Sequence, residues 1–520
     1  MNPERALVSV LMFHTCEAGA PAWCRLTPSE RPKPAPCRRS GLWVVRAGCG
    51  LFALVVALLA AEVRGQSPVT VTIEPQEQTP GAAIPEDFLG LSFGMRNVIP
   101  DKTAGHFFSA TNTPLVTLFR NLGLKHLRVG GTSVESPPKT PIPNEKDIDS
   151  LFAFARAAGV DKIIYSFRLL ETNAEQHVAA TNALLARYIC DHYRSQLDCF
   201  AVGNEPDREK IFQQDVVITN FTTFLSKWRR FVAAITNAVP GARFTGPDAG
   251  SGNVTWTTRF AAAEKGSGLL TIVCEHFYVG GAGWGKGPQQ GIDAMLSPAW
   301  LASNQRLYDR MAVPVLKEGL PYRFTEANDH YSGGVPGASD TYAGALWALD
   351  FLHWWAAHDT RGVDFHNTQW VPNDVITPDA RGRLTINPKG YGLKAFELGS
   401  HGAIQPLTLS NPDGLNLTAY AVRGPGGLFL TLINKEHGAS AREANATLIV
   451  PGAHEGATAV FLTAPNADAA TKTGVTLGGA AITSEGPWLG KWSPLTAATP
   501  GRYAVSLPAA SATVVRIPAR

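Results

Sequence analysis

At 520 residues, with 45% hydrophobic and 17% charged residues, the chain is long enough for a large core and for two domains, because single cores stop growing near roughly 250–300 residues. Its formal net charge of +3 is too small for this length to point to nucleic acid or to an acidic membrane surface as a partner.

The first feature in chain order is the apolar run "GLFALVVALLAAEVRG", which follows Arg38, Arg39 and Arg46 and leads through small residues to Gln66. A charged region, an apolar region and a cleavage zone are the layout of a secretory signal. Residues 1–65 therefore read as a signal region with a long N-terminal extension, cleaved near Gly65, and the expected location is secreted or periplasmic with no stable membrane partner afterwards. The rival is an uncleaved anchor, for which the apolar core is short against a span of ~20 residues. Four of the seven cysteines (Cys16, Cys24, Cys37, Cys49) lie in this segment. The remaining Cys190, Cys199 and Cys274 make no metal site by spacing. Cys190 and Cys199 are close enough in sequence for a disulfide in an oxidising compartment, and three buried thiols are an equal expectation.

"PVTVTI" at Pro68 alternates like a strand, and residues 66–84 are expected to lend a strand to a β-domain at the other end of the chain. From 85 to 395, short apolar runs alternate with stretches of helical period. The runs are "FLGLSFG", "KHLRVGG", "KIIYSF", "CFAVGNEP", "ARFTGPD", "LTIVCEHFY", "YRFTEAN" and "VDFHNTQW", with helices such as "DIDSLFAFARAAG" between them. Eight units of this kind predict a (β/α)8 TIM barrel. An open doubly wound sheet is the alternative, but no Gly-rich phosphate loop follows the first strand, and no cofactor is expected. From 396 to 520, pieces such as "NLTAYAVR", "GLFLTLIN" and "ATVVRIP", separated by Gly, Pro, Asn and Asp, predict an appended C-terminal β-sandwich domain. The fold class is thus α/β.

In a closed parallel barrel the active site lies where the strands end. The fourth run ends in "GNEP", with Glu205, and the seventh in "TEAN", with Glu326. Two carboxylates at one rim suit glycosidic cleavage, one protonating the leaving oxygen and the other attacking the anomeric carbon. A solvated loop acid explains either glutamate alone; both together, each closing an apolar strand, make that reading weak.

These motifs resemble the barrel glycosidases of the 4/7 superfamily. With "LRVGGTS", "EHFY" and the long segment "TEANDHYSGGVPGASDTYAGALWALDFL" added, the chain resembles glycoside hydrolase family 79, the β-glucuronidases and heparanase-like enzymes. The resemblance implies Glu205 as acid/base, Glu326 as nucleophile, Asn204 on the sugar 2-hydroxyl and Tyr278 orienting the nucleophile. It implies Tyr331, Ser332 and Gly333 around the uronate carboxylate, using a phenol and free backbone N–H groups rather than an arginine. The implied partner is a glucuronic-acid-containing glycan or glycoside, cleaved by a retaining β-glucuronidase from its terminus. The alternatives are an endo-acting heparanase-like hydrolase and a non-catalytic carbohydrate-binding barrel. Glu135 in "GGTSVES" stands where the heparanase-like pattern has Asp, so a sugar contact there is doubtful. His276, His330 and His366 near the rim receive no role. Trp284 and Trp300, in the long loop after the sixth strand, are plausible sugar platforms, whereas the tryptophans of "LHWWAAH" are expected in the core.

Overall fold

The structure, a computed structural model, describes residues 69–76, 81–137, 139–172, 177–208, 220–452 and 456–519. The expected signal region and its four cysteines lie outside the described residues. Gly65–Arg520 form one compact unit.

The eight expected runs all become strands. After β1 (Val69–Pro75) come β2 (Leu89–Gly94), β3 (His126–Gly130), β4 (Lys162–Phe167) and β5 (Leu197–Val202). The fifth run divides at Pro247, which has no N–H for a ladder, into β6 (Phe244–Thr245) and β7 (Pro247–Ala249). They are followed by β8 (Val273–Tyr278), β9 (Tyr322–Asn328) and β10 (Val363–His366). β2 to β10 form one parallel sheet of nine segments; β6 pairs with β5 and β7 with β8, so the divided run stands at both ends of the sheet and brings it round into a barrel. Every residue of β3, β8 and β9 is buried, the pattern of parallel strands covered on both faces. One covering helix carries its start and stop signals in the sequence. Asn144 and Asp147 form a capping box at the start of Glu145–Ala158, which stops at Gly159 in the left-handed conformation.

The C-terminal part is two packed β-sheets. β1 joins the first of them, pairing parallel with Ala444–Ile449 and antiparallel with Leu407–Ser410. The second is built on Leu417–Gly424, Gly427–Asn434 and Ser511–Ile517. Ile73, Leu430, Leu448, Leu507 and Val515 are buried between them.

The helix Tyr342–Ala356 fastens barrel to β-domain, and it is buried on nearly every face. Within it Asp350 accepts hydrogen bonds from Thr418 Oγ1 (2.7 Å), Tyr420 Oη (2.6 Å) and Lys435 Nζ (2.6 Å), while Tyr342 Oη donates to the Leu462 carbonyl at 2.6 Å. Trp355 of "LHWWAAH" is fully buried, and Trp354 stacks on His358. Cys190, Cys199 and Cys274 are free and buried, so the Cys190–Cys199 bridge is not formed. No helix among the described residues is long and apolar enough to cross a membrane.

Candidate active site

A cluster of buried charge stands at the C-terminal ends of the barrel strands. Glu205 follows β5 and Glu326 lies on β9; both are buried, and an oxygen of each falls, with a ring nitrogen of His276, in a group whose atoms all lie within 4.8 Å of one another. Gly203 (φ +95°) turns the chain off β5, where a side chain would press on Leu169. Glu205 itself sits at φ +47°, a strained conformation for a non-glycine residue, and its N–H donates to the Asp248 carbonyl at 2.8 Å. Its Oε1 lies 3.0 Å from His276 Nδ1 and its Oε2 2.9 Å from Arg208 Nε.

Glu326 is held differently. Tyr278 Oη donates to its Oε1 at 2.7 Å, His366 Nδ1 lies 3.1 Å from the same oxygen, and Arg128 Nη1 donates to Oε2 at 3.1 Å. Burial pushes the Glu326 carboxyl up, but His366, His276 and Arg128 outweigh it and hold the group well below the usual carboxylate range. Glu326 is therefore an anion at neutral pH. Burial and the Glu326 charge push the Tyr278 phenol well up, so it stays a donor.

Arg128, on β3 within "LRVGG", is the hub. Its guanidinium is fully buried and also donates to Ser92 Oγ (3.2 Å), Asn204 Oδ1 (2.7 Å) and Asp248 Oδ2 (2.9 Å). Asp248, on β7 at φ +54°, accepts besides from Cys274 Sγ and Thr325 Oγ1 and lies 3.5 Å from His276 Nε2. Burial pushes Asp248 up, and Arg128 and His276 override it and hold it well down. Burial alone would lower His276, but Glu326, Asp248 and Glu205 raise it to about 10, so the ring is a cation. Arg128, Asp248 and the histidine charges were missed from sequence. A buried arginine in a strand beside "VGG" was the one available signal, since an unpaired charge there would be prohibitive. Among the described residues, Glu205, His276 and Glu326 are the group whose spacing could hold a metal ion. The oxygens are already engaged, those of Glu205 by Arg208 and the His276 cation and those of Glu326 by Arg128, Tyr278 and His366, so the set does not fit a divalent cation.

The expected substrate-binding residues assemble around this pair. Asn204 is buried; its Oδ1 is taken by Arg128, and its Nδ2 has no partner among the described residues. Tyr331 stands edge-on to Tyr278, ring centroids 6.2 Å apart. Its N–H is not free, however. It donates to the Gly281 carbonyl at 2.9 Å in a short bridge to the loop after β8, where Gly283 packs so closely on Gly334 that no side chain would fit. Ser332 and Gly333 follow at φ +63° and +86°, and their N–H groups have no partner among the described residues. The Arg208 guanidinium stands 6.0 Å over the Tyr331 ring.

The remaining candidates separate. Glu135 accepts from the N–H groups of Leu169 (2.9 Å) and Leu170 (2.7 Å), and so braces the loop after β4 instead of facing a sugar; burial pushes it up to about 7. Trp300 lies on the helix Pro298–Leu307 and packs edge-on to His330 and Trp347. Trp284 is 72% exposed, and Trp370, unforeseen, is 77% exposed on the loop after β10.

The fold is a TIM barrel with an additional β-domain. It is shared with a glycoside hydrolase family 51 arabinofuranosidase of Xanthomonas axonopodis pv. citri (TM-score 0.63, 16% identity, covering 86% of this chain and 100% of that one). No family model matches the chain. A glucuronidase is similar to it both among the solved structures and among the curated proteins. A 4-O-α-L-rhamnosyl-β-D-glucuronidase of Fusarium oxysporum superimposes with a TM-score of 0.65 at 17% identity, over 86% of this chain and 100% of that one. A β-glucuronidase of Aspergillus niger is 27% identical over 238 residues, which are 40% of this chain and 41% of the relative, so the match spans about two-fifths of that relative's length.

Proposed function

We propose that the protein is a secreted, retaining β-glucuronidase that removes terminal β-linked glucuronic acid from glycans or glycosides by double displacement. The observation that carries the reading is the closeness of Glu205 and Glu326, whose oxygens approach within 4.8 Å. Retaining pairs stand about 5–5.5 Å apart, whereas an inverting water needs roughly 6.5–9.5 Å. Glu326, held ionised, attacks the anomeric carbon while Glu205 gives its proton to the departing oxygen. In the second step Glu205 takes a proton from water, the oxygen of that water displaces Glu326, and both groups return to their starting states. The unpartnered Nδ2 of Asn204 is a donor for the 2-hydroxyl, a bond that strengthens as the ring flattens. Tyr331 Oη and the N–H groups of Ser332 and Gly333 supply neutral donors for the uronate carboxylate. Export rests on the apolar run after Arg46, and sequencing the mature N-terminus tests it.

The test is a panel of nitrophenyl glycosides, glucuronide beside glucoside and arabinofuranoside, run with heparan and hyaluronan oligosaccharides. Glucuronide turnover with release of the monosaccharide supports the reading. Internal cleavage of the oligosaccharides points to the endo-acting alternative, and no glucuronide turnover at all removes the proposal.

A further inference from the structure

The arrangement around Glu205 poses a chemical difficulty. A general acid must present an O–H to the departing oxygen, yet here both oxygens of Glu205 are occupied by cationic donors, His276 on Oε1 at 3.0 Å and Arg208 on Oε2 at 2.9 Å. His276 is locked, fully buried between Glu205 and Asp248. Arg208 is not. Its side chain is 42% exposed, lies along the backbone of Gly250, and has its guanidinium carbon 6.0 Å from the centre of the Tyr331 ring. Arg208 thus stands between the proposed acid and the proposed carboxylate pocket, within a side-chain rotation of each.

We propose that Arg208 is a carboxylate-sensing residue: it closes on Glu205 in the empty site and moves to the substrate's uronate carboxylate on binding, leaving Glu205 Oε2 free to carry the proton that catalysis uses. The inference rests on the glucuronidase reading and deepens it, since the anion that marks the substrate also arms the acid. Two charges of opposite sign exchange partners, and one proton passes from solvent to Glu205, so the complex gains one positive charge. The new pair is a guanidinium on a carboxylate, which a planar fork can bind through two parallel bonds. The groups facing Glu205 after the move favour the same outcome. Glu326 on β9 is an anion near it, and Asp248 on β7 bonds its backbone. Asp207 is engaged with the Gly250 N–H (2.8 Å) and Asn253 Nδ2 (2.8 Å), and Arg128 acts on Glu326 and Asn204 rather than on Glu205. Of the cations, His276 alone stays in contact. A glucoside, lacking the carboxylate, would leave Arg208 on the acid, so discrimination would enter through kcat as well as KM.

The test is calorimetric titration of free D-glucuronate into the wild type and the Glu205→Gln, Arg208→Ala and Arg208→Lys variants, each in two buffers of different ionisation enthalpy near neutral pH. The wild type is expected to take up roughly one proton per sugar bound. Glu205→Gln should take up none. Arg208→Ala should take up less than half as much and bind about tenfold more weakly, as for one charge-assisted bond, while Arg208→Lys restores part of both. In turnover, the alkaline limb of kcat for a nitrophenyl glucuronide should lie above that of kcat/KM in the wild type, and the two should converge in Arg208→Ala. Binding without proton uptake by the wild type, or full uptake by Arg208→Ala, overturns the inference while glucuronide turnover by the wild type still stands. Failure of the wild type to bind glucuronate or to cleave any glucuronide overturns the inference together with the reading beneath it.

Discussion

Replacing Arg128 by methionine removes one guanidinium and strands two carboxylates. Arg128 Nη1 and Nη2 donate to Glu326 at 3.1 Å and to Asp248 at 2.9 Å, and all three side chains are buried. Methionine fills much of the volume but supplies no donor, so the cost is that of breaking a buried pair from one side, about 3–5 kcal/mol. The sign of the pH dependence follows from Glu326, whose folded-state carboxyl is depressed. Its contribution to stability is full above the unfolded carboxylate range near 4.3 and is lost as pH falls through the lower folded value. Without Arg128 that value rises, so the acid limb of kcat/KM moves to higher pH. The stability gap between variant and wild type is widest near neutrality and narrows below about pH 4, where a proton on Glu326 relieves the unmatched charge. Arg128→Lys restores a charge but not the fork that reaches Glu326, Asn204 and Asp248 together, so it should recover part of the stability and less of the activity. The assays are denaturant unfolding at several pH values and the pH profile of nitrophenyl glucuronide hydrolysis. A variant within about 1 kcal/mol of the wild type with an unmoved acid limb would show that the hub does not hold the nucleophile's charge.

Three further outcomes are expected. Glu326→Gln abolishes turnover on every substrate, whereas Glu205→Gln keeps the first step for good leaving groups and shows a burst; equal loss on good and poor leaving groups in the latter counts against its role. Tyr331→Phe lowers kcat/KM for a nitrophenyl glucuronide by roughly 1–3 kcal/mol and changes the glucoside less, and equal falls on both sugars would move the carboxylate pocket elsewhere. His276, raised to about 10, contributes stability that is full below its unfolded value near 6.5 and is lost as pH climbs through the folded one. The wild type should therefore lose unfolding midpoint between about pH 7 and pH 10, a slope that His276→Gln lacks; parallel profiles for the two proteins would mean that the ring is neutral.

The periodicity of the chain by itself specified the barrel runs and the short alternating strands of the β-domain, because burial on two faces or on one leaves a direct pattern in apolar residues. It also placed Glu205 and Glu326 at strand ends, since a polar residue closing an apolar strand is visible without coordinates. What it could not supply were contacts made across the barrel. Arg128 lies 76 positions from Asn204, 120 from Asp248 and 198 from Glu326, and only closure of the sheet makes them neighbours. Register decided the rest. A regular strand sends Thr325 and Glu326 to opposite faces, but the pairing of β8 with β9 shifts by one residue there, so that Thr325 reaches Asp248 while Glu326 reaches Arg128 and Tyr278. The freedom assigned to the Tyr331 N–H failed for the same reason: the Gly281 carbonyl that takes it comes from another strand's loop, and a turn's own residues carry no record of which loop will lie beside it. Local sequence sets which residues are buried and where strands end, whereas the charge states on which the chemistry depends arise from groups brought together by the tertiary fold.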